Sequence, residues 1–318
     1  MVPILGFLLA GLTKVISLPA KRNNILNRVL MAISDSLSQR VKETTCVDSA
    51  KIQTMKIATW NVNSLKVRLP QVLDWLAANQ PDVLCLQETK LQDENFPIAA
   101  IAAAGYQTIH TGQKTYNGVA LLSKQPGTEV ITAIPGFDDP QKRILSAIYG
   151  DMRVVCIYVP NGESIESEKY QYKLKWLAAL NGWLRDMLSR HQKLVLLGDF
   201  NIAPEDCDVH DPKLWEGQVL FSLPERDAFR EVLNLGLLDS FRLFDQPEKS
   251  YTWWDYRMMA FRRNMGLRID HILLSDALAK LCTTCVIDKA TRKLDRPSDH
   301  APVMVELRTE SSELETDL

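Results

Sequence analysis

The chain lacks an excess of positive charge: 37 Lys and Arg stand against 39 Asp and Glu, a net charge of −2. It is therefore not a globally basic protein, and a nucleic-acid partner would have to be met by a local basic patch or a metal. No stretch reaches the ~18 apolar residues that a membrane-spanning helix needs, so no membrane partner is expected. No P-loop glycine pattern, no nucleophile elbow and no Ser–His–Asp order occurs. The six cysteines, at 46, 85, 156, 207, 282 and 285, make no disulfide framework. A reducing compartment, the cytoplasm, is the default expectation. Cys85 and Cys156 lie in apolar runs, the usual place for a buried free thiol. "CTTC" has no second C-x-x-C and reads as strand rather than as a metal or redox site.

What is present is a chain that is 46% hydrophobic over 318 residues, enough for one large core or two medium ones. Residues 1–54 form a leader. Its first 34 residues carry Lys14, Lys21, Arg22 and Arg28 and no acid before position 35. Three readings stay open: an organellar presequence, a non-catalytic extension, or a true start at Met55. The third is favoured because patterned strand begins there at once. Residues 309–318 are acidic and unpatterned and are expected to be a disordered tail. Between them, residues 55–308 show no linker, no internal repeat and no low-complexity tract. One domain is the simplest organisation.

Within that span strand-like and helix-like segments alternate. "KIATWNVN", "VLCLQE", "YNGVALLS", "RILSAIYG", "RVVCIYVP", "LVLLGD", "SYTWW", "RIDHILLS", "TTCVIDK" and "PVMVEL" read as strands. The fourth and fifth are joined by only "GD", which predicts an antiparallel hairpin. "RLPQVLDWLAANQPD" is a short helix that Pro81 stops, 168–190 the longest helix, and "DAFREVLNLGLLDSF" a helix closed by Gly236. Trp176 and Trp183 on the long helix read as packing. Helical crossovers mixed with hairpins predict an α/β protein of two packed mixed sheets with helices outside.

Several apolar runs stop on a polar residue. Asn61 follows "IATW" and Glu88 follows "VLCLQ"; Tyr158 lies in "VCIYVPNG". Asp199 and Asn201 follow "LVLL", Asp270 lies in "LRIDHILL", and Asp299 and His300 lie in "RPSDHAPVMVEL". A single acid at a strand end is ordinarily a turn former or cap. So many such endings, on six separate runs, instead suggest one rim carrying a polar site. In an extended chain Asp199 and Asn201 would point the same way, with Phe200 opposite and into a core. Gly198 clears space for substrate or for a neighbouring strand. Glu88, Asp199, Asp270 and Asp299 clustered together would repel, and an oxygen-rich set of that kind suits Mg²⁺ or Mn²⁺. Asp270 is the candidate to orient His300. Asp199 could orient and deprotonate water, with Asn201 holding that water or a phosphate oxygen.

"ATWNVNSLKVRLP", "LCLQETKL", "YNGVALLS", "YVPNGE", "LLGDFNIAP", "YTWWDYR", "GLRIDHIL" and "RPSDHAPV" occur in the order found in the exonuclease III family of abasic-site nucleases. That family lies within the wider endonuclease/exonuclease/phosphatase superfamily, and the resemblance covers about residues 56–307. It implies a four-layer α/β sandwich and Mg²⁺- or Mn²⁺-dependent phosphodiester hydrolysis at abasic sites and 3′ ends of double-stranded DNA, by a monomer that would associate with the nucleoid. Other members of the superfamily act on inositol phosphates, phospholipids or bulk DNA, and a non-catalytic scaffold is a further alternative. Carried over by position, Glu88 looks like the principal metal ligand, with Asn61 beside it and Asp299 nearby. Asp199, Asn201 and His300 complete the metal-facing set. The resemblance gives Tyr158 and Asn201 to the scissile phosphate and His300, oriented by Asp270, to phosphate stabilisation. Asp199 would activate water or protonate the leaving oxygen. Asn63 stands where some relatives carry a metal-touching aspartate, which disfavours a second permanent metal. Trp253 and Leu267 match a pocket for a flipped-out abasic sugar. Arg257, Arg262, Arg263 and Arg268 supply the local positive charge that phosphates need.

Overall fold

A computed structural model describes residues 54–309; the expectations for the leader and the acidic tail lie outside them, apart from Thr54 and Thr309. The strands are β1 Thr54–Asn61, β2 Val83–Gln87, β3 Gln107–Thr111, β4 Val119–Ser123, β5 Thr128–Ile131 and β6 Ile144–Tyr149. They continue with β7 Met152–Tyr158, β8 Leu194–Asp199, β9 Leu237–Asp239, β10 Asp270–Ser275, β11 Cys282–Ile287 and β12 Val303–Arg308. The α-helices are α1 Leu65–Asn79, α2 Ile98–Ala103, α3 Glu168–Arg190, α4 Pro212–Trp215, α5 Leu223–Leu233 and α6 Asp276–Ala279.

Two six-stranded sheets form, in the orders β11-β12-β1-β2-β4-β3 and β5-β6-β7-β8-β10-β9. Each has one parallel pair at its centre, β1 with β2 and β7 with β8, and antiparallel pairs elsewhere. The sheets face each other across a core that includes Ile57, Cys85, Leu121, Val154, Leu197 and Ile272. A second core, with Trp176, Leu180, Trp183 and Phe229, packs α3 and α5 on the outer face of one sheet. A third, with Trp60, Val72 and Leu76, packs α1 on the outer face of the other. Helix, sheet, sheet, helix is the four-layer sandwich. The strands within it read as continuous apolar runs because both of their faces are buried.

The long helix α3 has the residues its pattern predicts. The Ser167 side chain caps it by accepting from the Tyr170 N–H, and Arg190 closes its last turn. The β6–β7 hairpin pairs Tyr149 with Met152 across Gly150–Asp151. Cys85 and Cys156 are buried free thiols, and Cys282 and Cys285 are free on β11.

Three expectations change. "SYTWW" is not a strand: Trp253 makes only isolated bridges to Leu267 and His300, because the segment threads between two loops rather than along a sheet edge. Strands β3, β5 and β9, not foreseen, all lie at the edge of a sheet, where a strand pairs on one side only; β3 and β5 need no apolar pattern there, and β9 is too short to show one, its Leu237–Asp239 falling at the end of a segment that reads as helix. Helix α1 begins at Leu65, ahead of Pro70, because the Leu65 N–H is anchored on the Thr89 carbonyl.

The opening around Gly198 has a clear cause. Gly198 has φ 145°, and a Cβ there would lie 1.9 Å from the Ile157 carbonyl oxygen. The close approach is therefore to β7, the parallel neighbour. Gly198→Ala must force β7 and β8 apart, and we expect a loss of about 3 kcal/mol in chemical denaturation. A change within error would mean that the strand pair yields freely.

Candidate active site

Strand register brings the polar residues to one rim. β1 and β2 are parallel with Asn61 beside Gln87, so Asn61 and Glu88 emerge at the same end. β7 and β8 are parallel with Tyr158 beside Asp199, and β10 runs back with Asp270 opposite Asp199. His300 arrives on the segment leading into β12, which is antiparallel to β1. Glu88 (φ 51°) and Asn201 (φ 49°) both sit in the left-handed region, so each of these strands ends in a turn at a site residue.

That turn corrects the expectation of an extended Asp199–Asn201 segment. The Asp199 Oδ1 accepts the Asn201 backbone N–H at 2.9 Å, and the Asn201 Nδ2 donates to Asp199 Oδ2 at 3.2 Å and to the Val159 carbonyl at 3.0 Å. The two side chains meet through a local turn instead of by strand alternation. Phe200 does face the core, against Phe229 and His271.

The two sheets touch chemically at Asn61. Its Nδ2 donates to Glu88 Oε1 and to Asp199 Oδ2, each at 2.9 Å. Glu88, Asp199 and His300 each bring a ligand-capable atom within 4.8 Å of the others. His300 Nδ1 bonds Asp270 Oδ2 at 2.8 Å, and its Nε2 lies 3.9 Å from Asp199 Oδ2.

Electrostatics follow from burial. Burial pushes the Asp199 carboxyl up to about 7; the His300 charge opposes this, while Asp270 adds to it. For His300, burial works against the charged form, but Asp270 and then Asp199 overcome it and raise the imidazole to about 10. Burial, then Glu88 and Asp199, hold the Tyr158 phenol well above its ordinary value, so it stays a hydrogen-bond donor. Burial would also raise Asp299, yet the His300 charge and bonds from Trp253 and Asn63 leave it below the usual carboxylate range.

Not every predicted site residue lies where the sequence suggested. Asp299, expected beside the metal, stands outside the Glu88–Asp199–His300 group. Its oxygens instead accept from the Asn63 Nδ2 at 2.9 Å and the Trp253 Nε1 at 3.0 Å. Arg268 is not on a DNA-facing surface: it is buried, with Nε 2.6 Å from Asp208 Oδ1 and Nη2 2.8 Å from Asp239 Oδ2. Two buried acids demand a buried cation, and the sequence motif does not reveal them. Leu267 is fully buried among Val209, Phe221 and Ile269, behind the half-buried Trp253, so it walls no open pocket. Arg257, Arg262 and Arg263 are exposed, although Arg257 turns its Nε to Asp255 at 3.3 Å.

The structure also adds residues that strand-end reasoning missed. Asn161 Nδ2 donates to Asn201 Oδ1 at 3.1 Å, and Arg143 stacks over the Tyr158 ring at 4.6 Å. Lys90 pairs with Glu88 at 2.8 Å and also bonds the Asn63 side chain. Asn161 and Lys90 fall in "YVPNGE" and "QETK", segments already conspicuous in the sequence. Tyr158, Arg143, Asn161 and Tyr172 line an adjoining groove of about 580 Å³.

A sandwich of two mixed sheets with a carboxylate–imidazole rim at their shared edge is the architecture of a phosphoesterase. The profile of the Endonuclease/Exonuclease/phosphatase family matches residues 58–300, and the chain belongs to that family. It is 38% identical over 267 residues to exodeoxyribonuclease III of Haemophilus influenzae, covering 80% of this chain and all of that one. Among solved structures it is similar to the 3′ phosphatase NExo from Neisseria bound to a product DNA hairpin. That match has 50% identity and a TM-score of 0.79, and covers 80% of this chain and 100% of the other. It is also similar to an AP endonuclease from Archaeoglobus fulgidus, with 40% identity, a TM-score of 0.77, and 79% and 98% of the two chains covered.

The raised Asp199 carboxyl makes a titration prediction. In metal-free protein it should be protonated below about 7 and ionised above. A divalent cation favours the ionised form, so cation binding should release a proton and strengthen as pH rises from 6 to 8, by roughly tenfold per unit below the pKa. Carboxyl ¹³C shifts of Asp199 with and without Mg²⁺ check this. No shift of its titration on adding metal would remove Asp199 from the cation site.

Proposed function

We propose that this chain hydrolyses phosphodiester bonds of double-stranded DNA at 3′ ends and at abasic sites, using Mg²⁺ or Mn²⁺. The observation that carries this reading is the buried Asp199–His300–Asp270 array facing Glu88 and Asn61. The likeness to the Neisseria 3′ phosphatase supports the choice of 3′ ends.

The residues fit a divalent cation. Carboxylate oxygens of Glu88 and Asp199, from different sheets, converge on a single neutral amide, that of Asn61. Lys90 pairs with the other oxygen of Glu88 and His300 lies 3.9 Å from Asp199, but the two oxygens that meet at Asn61 share only a neutral donor, and hard carboxylate oxygens suit Mg²⁺ or Mn²⁺. Glu88 and Asp199 would hold the ion, with Asn61 beside them. When bound, it supplies charge to the phosphate oxygens and favours hydroxide over water. His300 is held as an imidazolium, so it acts as a cation toward phosphate rather than as a ligand.

The side chains then divide the work. Asp199, ionised, orients the attacking water and takes its proton. His300, aimed by Asp270, stabilises charge that develops on the phosphoryl oxygens. Tyr158, kept protonated, donates to the same group. Asn201 and Asn161, bonded to each other, face the substrate as a neutral amide pair.

Purified protein with Mg²⁺ should release phosphate from a 3′-phosphate duplex and nick an abasic duplex, and chelation should abolish both. Phosphate release from a soluble inositol phosphate without any cleavage of DNA would overturn the reading. Glu88→Ala and Asp199→Asn should be folded and inactive. Asp270→Asn should leave binding intact while lowering kcat on the order of a hundredfold, because His300 loses its orientation and charge. An unchanged kcat in that variant would separate the buried pair from the chemistry.

A further inference from the structure

We infer that Lys173, buried on α3 behind the site, is a positioning residue that aims Asn161 and Asn201 by holding their backbone carbonyls. The inference rests on the hydrolytic reading above.

The Lys173 Nζ donates to the Asn201 carbonyl at 2.7 Å and to the Asn161 carbonyl at 3.1 Å, and it pairs with Glu225 Oε1. Three donors meet three acceptors, so the ammonium is fully used. Lys173 and Glu225 are both completely buried. Glu225 is engaged in turn: its Oε1 accepts the Leu220 N–H and its Oε2 accepts the Ser222 N–H, each at 3.0 Å. The pair therefore ties together three chain segments: the one after β7, the one after β8, and the turn that starts α5.

Stability is a weak reason to bury such a pair, since apolar residues of similar volume generally serve a core as well or better. Geometry supplies a stronger one. Asn201 turns into the left-handed region at the end of β8, and among the described residues no backbone N–H bonds its carbonyl. The lysine answers that orphan and the equivalent one at Asn161. With both peptides pinned, the Asn161 Nδ2 reaches Asn201 Oδ1, and the Asn201 N–H reaches Asp199 Oδ1. Each carbonyl belongs to the peptide that follows its asparagine, so holding it fixes ψ at Asn161 and at Asn201 and thereby the direction in which each Cα presents its amide; loss of either hold would misalign the amide pair beside Asp199. A displacement of about 1 Å at such groups can cost on the order of a hundredfold in rate.

The test compares wild type, Lys173→Met, the double variant Lys173→Met/Glu225→Gln, and Glu225→Asp. The substrate is a 3′-phosphate duplex with Mg²⁺. Kinetics are read as kcat and KM separately, alongside Tm. The double variant removes both charges together, so no unpaired charge is left buried and it should stay folded, with a Tm lowered because the Asn161 and Asn201 carbonyls lose their donor. Its kcat should fall roughly ten- to a hundredfold with KM unchanged, because DNA-facing surface is untouched. In Glu225→Asp, both charges stay but the carboxylate retreats by one methylene, and kcat should fall in the same sense. If the Lys173→Met variants do not fold, Glu225→Asp decides by the same criterion. A folded variant with wild-type kcat, or a loss confined to KM, would overturn the positioning role. A wild type that cuts no DNA defeats the hydrolytic reading instead, so the two failures are distinguishable.

Discussion

Asp199 and Asp270 lie opposite each other on neighbouring strands, both almost wholly buried, and His300 places a positive charge between them. Two carboxylates side by side in a low-dielectric setting repel, and a cation placed between them relieves that repulsion. That cation comes from the segment entering the opposite sheet. The packing of the two sheets is therefore also the neutralisation of the site. Remove the imidazole, and the rim of one sheet holds uncompensated acids; separate the sheets, and the imidazole loses its aim.

Behind this rim the loops depart from strand geometry and need other partners. The chain uses buried charge for this. Lys173 and Glu225 hold one side. Arg268 holds the other, between Asp208 and Asp239, and donates to His271. Because Arg268 is a donor only, His271 Nδ1 must accept, and its Nε2–H then serves the Ile202 carbonyl. Burial, with the Arg268 charge, lowers this imidazole to about 4, so the two neighbouring histidines are opposites. His271 is a neutral structural link and His300 a charged functional one. Adjacent acids and bases, not residue type, set that difference.

Much of the sandwich was legible because its central strands are buried on both faces. "LVLLGD" and "RVVCIY" could scarcely be anything else, and both ended where the apolar run ended. The edge strands β3 and β5 were not legible, since one-sided pairing imposes no apolar pattern on "QTIHT" or "TEVI". In the site, Asn61, Glu88, Asp199, Asn201, Asp270 and His300 were readable as polar endings of strands, and register then brought them together. Arg268 misled because an arginine in a basic-looking stretch carries no mark of burial; Asp208, 60 residues away, decides it. Asn161 was overlooked for the converse reason: an asparagine after a proline reads as a turn until Asn201 is seen beside it.

By itself the sequence determined the alternation of strands and helices, the chemistry at each strand end and the family resemblance, because these depend on near neighbours and on residue type. Only the tertiary structure decided which acid faces which base, that Asp199 and Asn201 meet through a turn, and that Lys173 and Arg268 are interior cations. Burial and charge compensation are properties of residues distant in the chain, and Coulomb and desolvation energies take their value only once those residues are brought together.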